Sequence, residues 1–140
     1  MAVDQKPDFS GEYTLNRQAS TLSPGGAATV LSAVLRIEHR EPMFRCSASF
    51  AFDGSTFEYS LERVSDGREI VGQEGHDSIV SSSHWEGNAL VLTDITTGPD
   101  AEVTMTWRYE LLEGRLRAVE RIRGGGRDQD NVWVFERPSA

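Results

Sequence analysis

Hydrophobic and polar positions alternate along most of this chain. Over 30–39, Leu31, Ala33, Leu35, Ile37 and His39 fall on one face of an extended segment. Over 44–52, Phe44, Cys46, Ala48, Phe50 and Phe52 face one way, and Arg45, Ser47 and Ser49 the other. A period of two marks a β-strand with one buried face, because successive side chains of a strand point to opposite sides. Asp53-Gly54 is a strong hairpin signal. Beyond it Phe57, Tyr59 and Leu61 alternate with Glu58, Ser60 and Glu62, Asp66-Gly67 turns the chain, and 69–73 reads as a short, weaker strand.

The pattern persists downstream. Ile79, Ser81, Ser83 and Trp85 share a face, as do Leu90, Leu92, Asp94 and Thr96 after the Glu86-Gly87-Asn88 turn. Past Gly98-Pro99-Asp100, Val103, Met105, Trp107, Tyr109 and Leu111 oppose Thr104, Thr106, Arg108 and Glu110. After Glu113-Gly114, Leu116, Ala118, Glu120 and Ile122 oppose Arg115, Arg117, Arg121 and Arg123. Gly124-Gly125-Gly126 ends that strand. With 9–16 at the front and 131–137 at the end, about ten strands follow one another at a spacing of about 8–12 residues.

No segment reads as an amphipathic helix. One helical turn over 17–22 is the best candidate, stopped by Pro24-Gly25-Gly26. Short turns pair sequence neighbours antiparallel, and the lack of crossover helices excludes parallel βαβ folds. A meander of this length must hide its edges and its apolar face. The expected fold is an all-β, antiparallel up-and-down barrel of 8–10 strands, with a two-sheet sandwich as the alternative. The expected division is a tail over 1–8 and one barrel domain over 9–138.

Composition narrows the partners. A length of 140 residues suits one core, and 38% hydrophobic with 26% charged residues fits neither a disordered chain nor a membrane protein. A formal charge of −8 argues against nucleic acid or an anionic membrane as partner. The single cysteine, Cys46, excludes an intrachain disulfide and a multi-cysteine zinc site. No apolar run nears the roughly 20 residues of a membrane span, and the start lacks a stretch of signal-peptide length. The expected location is cytoplasmic, or secreted or periplasmic if a leader has been removed.

Two ends of the chain carry a resemblance. Phe9-Ser10-Gly11-Glu12-Tyr13-Thr14-Leu15-Asn16 resembles the opening of the calycins, the lipocalin and fatty-acid-binding-protein superfamily. There a Phe-x-Gly-x-Trp motif places an aromatic plug at the barrel floor, and Tyr13 stands at the Trp position. Val132-Trp133-Val134-Phe135-Glu136-Arg137 is similar to the last strand of fatty-acid-binding proteins, and Ile37-Glu38-His39-Arg40-Glu41-Pro42 resembles a motif of small bacterial lipocalin-like proteins of unassigned function. The resemblance implies a lumen that binds a small molecule. It departs from fatty-acid-binding proteins in two places. Residues 17–28 are too few for their helix–turn–helix lid. Where they carry a carboxylate-binding Arg-x-Tyr, this chain has Trp133 and Phe135, and Arg137 lies near the chain end.

Candidate chemistry follows from the inner faces. Asp94 and Glu120 are carboxyls among apolar neighbours, where burial is costly unless they are paired. Each reads either as a salt-bridged or solvated group, or as an acid/base working with Tyr59 or Tyr109. Phe50, Tyr59, Trp85, Met105, Trp107, Tyr109, Trp133, Phe135 and His39 are the candidate ligand-binding residues; plain core packing is the competing reading. His39 reads as a hydrogen-bonded strand-end histidine, or as a wall ligand of the kind nitrobindin-like barrels offer to haem. His76 and His84 are expected at the surface. No metal site and no cofactor are expected, because three scattered histidines make no zinc constellation and phosphate-binding motifs are absent. The arginine stripe reads as the solvated outside of its strand. The expected function is binding of a small apolar or aromatic ligand by a monomer or homodimer. The alternatives are a cofactor-independent cyclase, isomerase or lyase, and an interaction module with a filled core.

Overall fold

The computed structural model describes residues 6–24, 27–126 and 128–137. The alternating segments form β1 (Gly11–Leu15), β2 (Ser32–Arg40), β3 (Met43–Phe52), β4 (Ser55–Val64), β5 (Ile70–Glu74), β6 (Asp77–Glu86), β7 (Ala89–Thr97), β8 (Glu102–Leu112), β9 (Arg115–Arg123) and β10 (Gln129–Glu136). All ten belong to one antiparallel sheet in the order β4-β3-β2-β1-β10-β9-β8-β7-β6-β5. Pairing of β1 with β10 brings the two chain ends together and leaves β4 and β5 as the outermost strands. The sheet curls until its inner faces meet: Phe44 of β3 lies 5.4 Å from Tyr109 of β8, and Phe50 of β3 lies 5.3 Å from Trp133 of β10, between ring centroids.

The barrel has one seam without a ladder. β5 is exposed at every position and has no buried face to hold it against β4. Other groups span the gap. Arg63 Nη2 on β4 donates to Asp94 Oδ1 and Oδ2 on β7, at 3.2 and 3.1 Å. The Gly67 N–H donates to the Ser83 carbonyl at 2.8 Å.

The helical turn expected over 17–22 is replaced by a turn at 17–19 and a β-bridge from Thr21 to Val132. The cause is the edge of β10, whose backbone groups need partners beyond the short β1. Thr21 and Val132 exchange N–H···O bonds of 2.8 and 2.7 Å, and the Val134 N–H donates to Ser20 Oγ at 2.9 Å. Among the described residues the one helical element is a 3-10 turn at Ala27–Thr29, and no helix is long and apolar enough to cross a membrane. Two residues placed on inner faces are instead exposed. Leu31 precedes the β2 ladder, and Phe57 sits near the tip of the β3–β4 hairpin; each is 56% exposed. Residues 1–5 of the expected tail, and Pro138, lie outside the described residues.

One end of the barrel is plugged. Phe9, Tyr13 and Phe44 are fully buried there. Tyr13 donates its hydroxyl hydrogen to the Phe9 carbonyl at 2.7 Å and accepts from Arg137 Nη2 at 3.0 Å, while the Arg137 guanidinium lies 5.3 Å from its ring centroid. Phe9 stacks between His39 and Trp85, at 5.6 and 6.0 Å. Rings of this size remove much apolar surface from water and fix the floor of the barrel.

Candidate ligand-binding pocket

The opposite end stays open. The β3–β4 hairpin turns there through Asp53-Gly54, with Gly54 at φ 78°, a left-handed conformation that costs glycine little. Its register sets Phe50 opposite Phe57 and Ala48 opposite Tyr59. Three rings therefore gather on one wall: Phe50 stacks on Tyr59 at 6.0 Å, and Phe57 lies 5.9 Å from Tyr59. On the facing wall the ladders of β8, β9 and β10 align Trp107, Glu120 and Asn131 in one row. Trp133 meets Phe50 edge to face across the barrel. Ala27 and Thr29 of the 3-10 turn line the rim. The cavity has a volume of about 460 Å³, within the range of about 300–1,000 Å³ typical of small-molecule sites.

Glu120 is the single charged residue lining this cavity among the described residues. Its Oε1 accepts Trp133 Nε1–H at 3.1 Å and Asn131 Nδ2–H at 3.0 Å. Asn131 is buried and held in turn, its Oδ1 accepting the Ser23 N–H at 2.7 Å. Among the described residues no donor reaches Oε2. Burial pushes the Glu120 carboxyl above its ordinary range, and the two hydrogen bonds from Trp133 and Asn131 oppose part of that rise.

Solved structures share this architecture. The chain resembles a point mutant of the fluorescent protein UnaG, with 17% identity and a TM-score of 0.62 over 94% of this chain and 97% of that one. It resembles secretory abundant heat soluble protein 4 from Ramazzottius varieornatus, with 12% identity and a TM-score of 0.59 over 99% of this chain and 100% of that one. It also resembles a Schistosoma mansoni fatty-acid-binding protein in complex with arachidonic acid, with 14% identity and a TM-score of 0.56 over 94% and 96% of the two chains. The fold is that of the calycin barrels. No family model and no curated protein matches the chain.

Within this barrel, Phe50, Tyr59, Trp107, Trp133 and Glu120 come together at the open end. The other candidates do not. Tyr109 is fully buried behind Trp107, stacked at 6.0 Å, and desolvation holds its phenol far above the ordinary range. Phe135 packs in the core. Met105 and Asp94 border a separate groove with Asp77, Thr96 and the 98–101 loop, and Asp94 is ion-paired with Arg63. That pairing is the salt-bridge reading of an inward carboxylate. Its partner sits two residues beyond Leu61, on the same face of β4.

His39 and Trp85 lie at the plugged end. His39 Nδ1 accepts the Phe9 N–H at 3.2 Å, which leaves Nε2 to donate to Glu41 Oε1 at 2.6 Å. Neither ring nitrogen is free for a ligand. Trp85 Nε1 donates to Glu41 Oε2 at 3.1 Å. Glu41 also accepts from Ser65 Oγ, and this set of donors, led by His39, outweighs desolvation and lowers its pKa. His84 pairs with Glu86 and His76 is exposed. The arginine stripe forms surface ion pairs: Arg115 with Glu136, Arg117 with Glu110, and Arg121 and Arg123 with Asp130. Among the described residues no group of three or more His, Cys, Asp or Glu is placed to hold a metal ion.

Alternation does not assign Ala27, Thr29, Ser55 or Asn131 to the site. Ala27 and Thr29 lie in an irregular connection, where periodicity carries no signal. Asn131 is accessible in principle, because antiparallel pairing of 116–122 with 131–137 can set it opposite Glu120.

Proposed function

We propose that this protein binds a small, largely apolar or aromatic molecule in the open end of the barrel. The observation that carries the reading is the aromatic cavity of about 460 Å³, with one charged residue, Glu120, among its described lining residues. Apolar walls with few placed polar atoms are the general form of a small-molecule site. The fold adds support, since one solved calycin barrel of this shape is in complex with arachidonic acid. A fatty-acid carboxylate is the wrong head group here. Trp133 and Phe135 occupy the clamp spacing, and the Glu120 carboxylate would repel an anion at close range.

Titration with a neutral, apolar fluorescent dye tests this. A dissociation constant in the low micromolar range is expected, about −8 kcal/mol, with displacement by neutral aromatics and little by long-chain fatty acids. Sub-micromolar fatty-acid binding overturns the head-group argument. No dye binding, and no displacement by any apolar compound, overturns the pocket reading.

A second reading rests on the raised Glu120 carboxyl. Burial raises the Glu120 carboxyl above its ordinary range, which makes it a better proton donor or acceptor partner for a bound ligand, and Tyr59 lines the same cavity. A cyclase, isomerase or lyase would then use Glu120 as acid or base. Chemical change of a bound ligand that stops in Glu120→Gln, with binding retained, is the result that supports it.

A further inference from the structure

The polarity of the pocket constrains what kind of apolar molecule it takes. Both protein donors to Glu120, Trp133 Nε1 and Asn131 Nδ2, converge on Oε1. They fix the plane of the carboxyl and leave Oε2 open to water or to a ligand. An ionised carboxylate only accepts hydrogen bonds, so either partner must donate. The surroundings favour a positively charged donor over a neutral one. Trp107 stands beside Glu120 in the sheet, and Trp133 and Tyr59 line the same cavity. The faces of such rings attract cations, and the attraction grows as water is removed. No lysine or arginine lines the cavity among the described residues to neutralise Glu120 in a ligand's place. Farther out, the chain's formal charge of −8 attracts cations to the protein as a whole and repels anions.

We propose that the pocket selects an apolar molecule carrying a protonated amine, with the ammonium bonded to Glu120 and its apolar body against the aromatic walls. This deepens the binding function proposed above and rests on it. The ammonium donates to Oε2 in place of water, and a charge-assisted bond is stronger than the neutral bond an alcohol would offer. A carboxylic acid of the same shape meets repulsion instead.

Three ligands with one ring system separate head group from body: naphthalen-1-ylmethylamine, naphthalen-1-ylmethanol and 1-naphthoate. Isothermal titration calorimetry on the full chain at neutral pH should rank amine above alcohol above acid, with the amine at least about tenfold tighter than the alcohol. In Glu120→Gln the amide oxygen can still accept from Trp133 and Asn131 while the charge is gone. There the amine's advantage should shrink to about threefold or less, with alcohol affinity nearly unchanged. Glu58→Gln removes one exposed charge outside this pocket and should keep the full advantage.

Equal affinity for amine and alcohol, or tightest binding of the acid, overturns the amine assignment and leaves the pocket reading standing. An amine preference that survives Glu120→Gln also overturns it, because the preference would then come from overall charge. If none of the three binds, the pocket reading fails and the assignment with it. Should Glu120→Gln not fold, the wild-type ranking at low and high salt still decides. A contact inside the pocket keeps its preference in salt, whereas long-range attraction by surface charge is screened away.

Discussion

Glu120 owes its position to a choice between two faces. Arg115, Arg117, Arg121 and Arg123 occupy one side of β9, and burying four guanidinium groups costs far more than burying one carboxyl. The alternation alone therefore turns Glu120 inward. Its partners are harder to read, because they depend on the register across the glycine-rich turn between β9 and β10. Since the folded protein holds the Glu120 proton more tightly than the unfolded chain does, the linkage has a definite sign. Its contribution to stability is complete below the ordinary carboxylate range and is lost as pH rises through the raised value. Glu120→Gln should thus match wild type in acid and equal or exceed it at neutral pH, as measured by urea midpoints at both. Glu120→Leu removes the acceptor as well, and the unpaired Trp133 and Asn131 donors should cost about 1–3 kcal/mol. Cys46 offers a second check. Burial pushes its thiol up to about 12, so native protein should resist iodoacetamide at pH 8 and react fully once unfolded.

Most of the strands are legible because they carry a run of alternation, and all ten segments read along the chain, the short and weaker 69–73 among them, form strands. The seam between β4 and β5 is not. Nothing in a local period says that β5 faces solvent on both sides, or that Arg63 reaches across to Asp94. The 17–22 segment misleads for a related reason, since its backbone partners lie on β10, more than a hundred residues away. The seam makes two expectations. Asp94→Asn removes one charge of a pair whose side chains are only 20% and 29% exposed, and should cost about 1–3 kcal/mol in denaturant unfolding, because Arg63 stays largely buried without its counter-charge. Hydrogen exchange followed by NMR should find β5 amides among the fastest and those of β9 and β10 among the slowest. β5 is an exposed edge strand, while β9 is paired on both sides and β10 is paired along its length with β9 and, on its other side, with β1 and Thr21. Slow exchange throughout β5 would show that the seam is sealed in solution.

The barrel as a unit is asymmetric along its axis. Phe9, Tyr13, His39, Phe44 and Trp85 fill one end, and the other opens onto the pocket that Phe50, Tyr59, Trp107, Glu120 and Trp133 line. Alternation can say that these side chains point inward, but not at which end each ring lies. That depends on the position of each turn, and so Trp85 and Trp107 look equivalent in sequence. The three tryptophans turn this asymmetry into a probe. Nitrogen-15 NMR resolves each indole N–H while naphthalen-1-ylmethanol, a neutral ligand, is added. Saturable shifts of the Trp107 and Trp133 indoles and of the Phe50, Tyr59 and Glu120 amides are expected, with the Trp85 indole at the plugged end nearly unmoved. Shifts centred on Trp85, or no saturable shift at any of the three indoles, would contradict an open apolar binding pocket at this end of the barrel.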